Sequence, residues 1–179
     1  MNVGTKSILW GVHQFLWHPL TVARAWRSLH GKWPSLNQWI SIFVHDLGYW
    51  GCPNMDGTEG KEHPLAGAEM AWRWVYIANR LRGRTVNQCW HYADTSFDFA
   101  LGHSTHYAKA RLDGKVSTLY LADKASILFD PPWFYLLRGW LSGEVAEYVT
   151  NEDPSLTRRQ WLTNYRNRIK VKVCSHQSH

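Results

Sequence analysis

Apolar residues recur at helical spacing along much of the chain, and this periodicity limits the possible folds more than any other feature. One such stripe falls within a single predicted helix and holds Val22, Ala25, Trp26 and Leu29. No stretch of useful length alternates polar and apolar residues as a half-buried strand would. The sequence therefore predicts an all-α fold.

Helix start signals divide the chain into segments. Proline is favoured in the first turn of a helix, so His18-Pro19 and His63-Pro64 both indicate helix starts. Ser35 followed by Gln38 has the spacing of a capping box, which predicts a helix over about 36–49. These signals give an order of helices on which the polar residues can be placed.

An adjacent His-Asp pair lies near the end of the helix predicted over 36–49. His45 and Asp46 stand beside an apolar stripe that should face the core. Burying two such polar side chains is costly unless something binds them. A neutral imidazole nitrogen and a carboxylate oxygen both bind divalent cations at neutral pH. The pair therefore predicts a metal site, provided that further ligands lie nearby in the fold.

Four other His or Asp residues are candidates to join this pair. His18 lies one turn before the first apolar stripe, and Asp123 falls on the stripe of a helix predicted from Lys115 to about Phe129. His63 and His103 complete the set. A carboxylate on an apolar stripe needs a cation or several donors. An ion pair with an arginine remains an alternative for Asp123, and a capping or surface role remains one for His18.

The net charge bears on possible partners. The chain has 179 residues and a formal net charge of +6, which predicts one domain over 1–179 and a polyanionic partner. Much of the excess positive charge falls in residues 151–179, a predicted basic C-terminal helix and tail. This segment could bind nucleic acid, or it could be an ordinary solvated helix face.

The three cysteines bear on the cellular compartment. Cys52, Cys89 and Cys174 are far apart and in no C-x-x-C spacing, which favours a reducing compartment over a disulfide scaffold or a zinc-thiolate site. The first residues lack the pattern of a signal peptide, and there is no run of about 18 apolar residues that could span a bilayer. We therefore expect a cytoplasmic protein with no membrane partner.

The motifs around these residues resemble the HD superfamily of metal-dependent phosphohydrolases, whose ligand order is H…HD…H…H…D. The matching segments cover about residues 15–130 and are His18-Pro-Leu-Thr-Val22-Ala23, Ile42-Phe-Val-His45-Asp46-Leu-Gly48, His63-Pro-Leu-Ala-Gly67-Ala68 and Tyr120-Leu-Ala-Asp123-Lys124. The last two are similar to segments of the dinuclear members, which include bacterial dinucleoside-tetraphosphate hydrolases. The resemblance implies an HD-domain-like helical bundle. The loop before His63, the Trp-rich segment 133–140 and the basic tail have no counterpart in the general pattern. The aromatic helices over 131–150 are expected on the substrate side.

The resemblance also implies a division of the metal ligands. His18, His45, Asp46 and Asp123 would hold one divalent ion, and His63 and His103 would complete a second site, with Asp46 bridging the two. His106 is an alternative ligand to His103, or a partner just outside the ligands. One or two ions are expected, and the sequence does not distinguish Mn, Fe, Mg, Co, Ni or Zn.

The activity implied is hydrolysis of a phosphoester or phosphoanhydride in a nucleotide-like small molecule. Asp46, Lys124 and His106 are the expected catalytic residues, while Lys109, Arg111 and Trp50 are the expected substrate contacts. Two alternatives remain open. Some HD-fold proteins with four His and two Asp are di-iron oxygenases, and the chain could also be a non-catalytic, basic nucleic-acid-binding module with a structural metal.

Overall fold

The computed structural model of the protein describes residues 1–177 and shows an all-helical architecture. Over these residues there is no strand, which confirms the predicted fold class. The α-helices are α1 Val3–Trp10, α2 Trp17–His30, α3 Leu36–Val44, α4 His63–Leu81, α5 Val86–Leu101, α6 Thr105–Arg111, α7 Thr118–Ala125, α8 Pro132–Ser142, α9 Glu144–Glu152 and α10 Arg158–Gln177. None of the helices in this part of the chain is both long and apolar enough to cross a membrane.

The predicted helix starts are present, whereas two predicted helices are shorter than expected. The capping box of α3 is confirmed, since Gln38 N donates to Ser35 Oγ and Ser35 N donates to Gln38 Oε1. Helix α3 ends at Val44, and a short 3-10 helix, Leu47–Tyr49, follows it. The predicted helix over 36–49 is thus two pieces, and the break between them holds His45 and Asp46.

Helix α7 is the second of these shorter helices. It begins at Thr118 rather than Lys115 and ends at Ala125, before another 3-10 turn, Ser126–Leu128. Asp113 and Gly114 form a turn with φ of 51° and 78°, and Ser117 at the N-cap is extended, with φ of −75° and ψ of 165°, so the helix cannot begin before Thr118. Asp123 consequently lies in the last turn of this helix.

Helices α2, α3 and α7 pack around a shared apolar cluster. Val22 and Trp26 of α2, Ile42 of α3, and Leu119 and Ala122 of α7 are its buried members. Helix α3 also packs against α4 and α5, which run along each other. The ends of these five helices therefore meet in one region of the core.

Two glycines allow the close approach of α4 to the His-Asp segment. A Cβ atom at Gly67 would lie 1.9 Å from the carbonyl oxygen of His45, and one at Gly48 would lie 2.1 Å from that of His63. Neither distance is possible for a real side chain, so only glycine lets these backbones pack this tightly. Both residues belong to the motifs that carry the family resemblance.

The basic C-terminal segment is an integral part of the core. Helix α10 begins at Arg158, and its residues Trp161, Leu162 and Ile169 are buried in a cluster with α8 and α9. Arg166 donates to the carbonyl oxygens of Ile127 and Asp130. The helix is therefore more than a solvated basic face, although several of its cationic side chains are exposed, namely Arg158, Arg159, Lys170 and Lys172.

Candidate metal centre and adjoining cavity

The six predicted ligands come from the ends of five helices. They are His18 in the first turn of α2, His45 and Asp46 directly after α3, His63 at the start of α4, His103 just beyond α5 and Asp123 in the last turn of α7. Five of them are buried, and the side chain of His63 is 11 % exposed. Helix ends bring these side chains together because the helices themselves pack around the apolar clusters.

Four of these residues form what we call the first group: His18, His45, Asp46 and Asp123. Their ligand atoms all lie within 4.8 Å of one another. His18 Nε2 is 3.0 Å from Asp46 Oδ2 and 3.1 Å from Asp123 Oδ1. His45 Nε2 is 3.2 Å from the same Asp46 oxygen. Two imidazoles and two carboxylates thus face a common point.

Asp46, His63 and His103 form the second group. The other oxygen of Asp46, Oδ1, is 3.6 Å from His63 Nε2 and 3.8 Å from His103 Nε2. The two imidazole nitrogens lie 3.1 Å apart. Asp46 therefore presents one oxygen to each group, as a bridging carboxylate would.

Main-chain carbonyls orient three of the four histidine rings. The Nδ1 atoms of His45, His63 and His103 lie 2.7, 2.6 and 2.5 Å from the carbonyl oxygens of Ile42, Gly60 and Ala100. A carbonyl oxygen can only accept, so Nδ1 carries the proton in each ring. The opposite nitrogen, Nε2, is directed at the ligand cluster. A metal-binding histidine is commonly oriented in this way, by a hydrogen bond from the ring nitrogen that does not bind the metal.

The carboxylates of Asp46 and Asp123 in the first group are ionised. Burial alone would raise the pKa of Asp46 and of Asp123. The positive charge of His45 instead holds the pKa of Asp46 well below its usual range. The positive charge of Lys124 does the same to the pKa of Asp123. Burial opposes protonation of His45, yet the charge of Asp46 raises the pKa of that ring to about 10. Without a metal, the first group therefore balances its carboxylates with protonated imidazole.

The second group has no such balance. Burial and the charge of the nearby His103 hold the pKa of His63 well below its usual range. Burial and the charge of His45 lower the pKa of His103 to about 4. Both rings are therefore neutral at physiological pH, and their two Nε2 lone pairs face each other at 3.1 Å. Two lone pairs at this distance repel each other unless a cation or proton lies between them.

Buried atoms without partners show that a metal ion would fit. His45 Nε2 and Asp46 Oδ2 are both buried and make no hydrogen bond, although they lie close together. Each is a strong metal ligand when deprotonated, and four imidazole nitrogens with two carboxylates form a donor set suited to divalent transition metals. The buried His/Asp cluster could hold a metal ion, and the identity of that metal is open.

A cavity of about 460 Å³ adjoins the first group and is lined in part by His18, Asp123 and Lys124. Lys124 Nζ lies 3.1 Å from Asp123 Oδ2, and the charge of Asp123 raises the pKa of the lysine. The side chain of Lys124 is 38 % exposed. Lys124 is therefore a cation within reach of a molecule in the cavity, as expected for a phosphate contact.

Aromatic side chains form much of the remaining wall. Tyr148, Trp161 and Tyr165 stack in a column, with ring centroids 5.6 and 5.4 Å apart, and Tyr135 also lines the cavity. The sequence indicated an aromatic segment around Tyr135 but gave no sign of Tyr148 or Tyr165. Tyr148 and Tyr165 line the same cavity because α9 packs against α10. Their spacing in the sequence does not predict this packing.

His13 is another cavity residue, and its sequence pattern indicated only a surface or core histidine. Its Nδ1 lies 3.0 Å from Oε2 of the buried Glu144, and its ring meets the edge of the His18 ring at a centroid distance of 5.2 Å. His13 is therefore held next to a candidate ligand by a carboxylate from the distant helix α9.

Three predicted site residues on α6 do not reach the cluster or line the cavity. His106, Lys109 and Arg111 are exposed. Helix α6 buries Tyr107 instead, whose hydroxyl donates to Glu62, and this contact sets which face of the helix points inward. His103 precedes α6 and points into the cluster, so the structure favours it over His106 as the ligand.

The large aromatic residues predicted as substrate contacts are also on the surface. Trp50 is 61 % exposed, and Trp133 and Trp140 are 69 % and 61 % exposed. None of the three lines the cavity. Trp50 follows the 3-10 helix after Asp46, whose buried aromatic residue is Tyr49, and it is Tyr49 that lines the cavity.

Comparisons with protein-family profiles, with curated proteins and with solved structures find no match for this chain.

Proposed function

We propose that this protein is an HD-type, metal-dependent phosphohydrolase that cleaves a phosphoester or phosphoanhydride of a small, nucleotide-like molecule. One observation carries the proposal: the Asp46 carboxylate is shared between two groups of histidines, directly beside a cavity that contains a lysine. The motifs around His18, His45-Asp46, His63 and Asp123, which resemble those of the HD superfamily, support the same conclusion.

The chain would hold one ion with His18, His45, Asp46 and Asp123, and a second with His63, His103 and the other oxygen of Asp46. Divalent ions held there would polarise the phosphoryl group of the substrate and would make a water molecule acidic enough to lose a proton near neutral pH.

The protein's own residues would orient the substrate and balance its charge. Lys124 contacts the phosphate from the cavity side, while its bond to Asp123 fixes its position relative to the ligands. Asp46 and Asp123 stay ionised because their pKa values lie well below the usual range. The aromatic wall of Tyr148, Trp161 and Tyr165 would limit the access of water to the substrate.

The test is metal-dependent phosphate release by the wild type and by Asp46→Ala. We expect the variant to lose turnover and to retain far fewer metal ions per chain, while circular dichroism shows unchanged helicity. The control is Asp98→Ala, which removes an exposed carboxylate from α5 and should leave activity and metal content unchanged.

An active Asp46→Ala protein would contradict the proposal. So would two other results with the wild-type chain. Iron-dependent oxygen consumption without phosphate release would indicate the di-iron oxygenase. Salt-dependent binding to long nucleic acid without metal-dependent turnover would indicate the basic binding module.

A further inference from the structure

The cavity beside the ligands has an uneven charge distribution. Lys124 is the only lysine or arginine among the described residues that line it, whereas four carboxylates do so: Asp56, Asp123, Asp130 and Glu152. A chain of phosphates carries several negative charges and needs several cationic contacts. Apart from the candidate metal centre, the cavity therefore offers one lysine to a phosphate group.

Three of the four carboxylates have a cationic partner. Asp123 pairs with Lys124, Asp130 with Arg138 and Glu152 with Arg168. Within residues 1–177, Asp56 makes no ion pair. Burial and the negative charge of Glu147 raise the pKa of Asp56, while the charge of Lys124 and a hydrogen bond with Asn151 oppose this rise.

The loop that carries Asp56 is held in place by α9. Glu147 Oε1 accepts hydrogen bonds from the main-chain N–H groups of Met55, at 2.9 Å, and of Asp56, at 2.8 Å. Met55 is itself buried in an apolar cluster with Tyr49 and Ile8. The main chain at Asp56 is therefore held in place, and its exposed side chain lies at the edge of the cavity.

Two tyrosine hydroxyl groups in the cavity wall are available to a ligand. Tyr49 and Tyr135 are only 7 % and 5 % exposed, and both line the cavity. Neither hydroxyl hydrogen-bonds to another atom of residues 1–177, and both remain accessible rather than enclosed. Without a partner in this part of the chain, these two hydroxyls are placed to bond water or a molecule in the cavity.

From this arrangement we propose that the cavity binds a compact phosphate monoester with an ammonium group at its other end. The phosphate would lie against Lys124 and the candidate metal centre, and the ammonium group would lie against the Asp56 carboxylate. The stacked rings of Tyr148, Trp161 and Tyr165 form the apolar part of the wall between them. This inference rests on the proposed phosphohydrolase activity, and it assigns that activity a compact amino phosphate monoester in place of a nucleotide-like substrate.

The test compares two ligands that share a phosphoryl group and differ only in the ammonium group. Binding of 3-aminopropylphosphonate and of propylphosphonate to the manganese-loaded full chain is measured by calorimetry, because a carbon–phosphorus bond resists hydrolysis. We expect the amino compound to bind about five- to tenfold more tightly. Asp56→Asn should abolish this difference, and Glu59→Gln, an exposed change in the same loop, should preserve it.

A second arm addresses the number of phosphates and the reaction. Adenosine 5′-(α,β-methylene)diphosphate should bind more weakly than 3-aminopropylphosphonate, and 3-aminopropyl phosphate should be hydrolysed. Equal binding of the two phosphonates by the wild type, or tighter binding of the diphosphate, would overturn the inference. If the binding preference holds but no phosphate ester is hydrolysed, the proposed function fails and the assigned ligand class stands.

Discussion

The Nε2 atoms of His63 and His103 lie 3.1 Å apart, and in both rings the opposite nitrogen donates to a main-chain carbonyl oxygen. Two neutral imidazoles held in this way direct their lone pairs at each other. A cation between them would convert this repulsion into two bonds, and Asp46 Oδ1 is close enough to provide a third ligand. This relationship makes the second group a testable metal site.

Removal of one of these rings should affect the two ions unequally. In His63→Ala the second group loses one of its three ligands, whereas the first group keeps all four. We expect metal analysis of the purified protein to show a larger loss of the second ion than of the first. His91→Ala, an exposed change on α5, is the control. Equal loss of both ions would mean that the ligands are divided differently.

Lys124→Gln should separate substrate binding from metal binding. The lysine contacts Asp123 Oδ2, while Asp123 Oδ1 faces His18, so the ligand cluster can persist without the lysine. We expect phosphate release, measured as kcat/KM, to fall by about 10²-fold with metal content unchanged. The exposed change Lys32→Gln should have no effect. Loss of metal in Lys124→Gln would show that the lysine supports Asp123 instead.

Glu144→Gln should lower stability in a pH-dependent way. Glu144 is wholly buried and accepts hydrogen bonds from the hydroxyls of Ser7 and Ser142 and from Val12 N–H. Burial alone would raise its pKa, but the hydrogen bond from His13 and the charge of that ring lower it below the usual 4.5. A carboxyl with a lowered folded-state pKa stabilises the fold above its unfolded pKa, and the effect is lost as pH falls through the folded value.

We therefore expect Glu144→Gln to lower the free energy of unfolding by about 2–3 kcal/mol at pH 7, measured by chemical denaturation. The difference from the wild type should shrink as the pH falls below about 4.5. Glu69→Gln, an exposed change on α4, should show neither effect. A pH-independent loss would assign the effect to packing rather than to charge.

Gly67→Ala tests the close packing of α4 against the His-Asp segment. The new Cβ would lie 1.9 Å from the carbonyl oxygen of His45, so the backbone must move. We expect a loss of about 1–3 kcal/mol in the free energy of unfolding, and weaker metal binding because His45 shifts with its backbone. Calorimetric metal titration and denaturation measure the two effects. Unchanged metal affinity in a destabilised variant would show that His45 does not depend on this contact.

Much of the candidate site follows from local sequence signals. His-Pro helix starts and the capping box at Ser35 are short-range features, so they predicted the starts of α2, α3 and α4 closely. The His45-Asp46 pair and Asp123 stood out because polar side chains beside an apolar stripe are costly to bury. All six predicted ligands lie together in the structure.

The predictions for α6 show that local sequence signals do not always reveal which side of a helix faces the site. Lys109 and Arg111 follow His103 closely in sequence, yet they point outward because Tyr107 takes the buried side of the helix. A helix of seven residues carries too little periodicity to reveal its inner face. Proximity in sequence was therefore a poor guide to proximity in the site.

The sequence by itself determined the helical architecture, the candidate metal ligands and the glycines that bring their backbones together, because each depends on spacing within one helix or one turn. The tertiary structure alone decided what surrounds those ligands. Asp56, Tyr148 and Tyr165 come from three separate segments and reach one cavity only through the packing of α9 and α10 and the anchoring of a loop by Glu147. No local pattern encodes such contacts, since they arise from how whole helices pack.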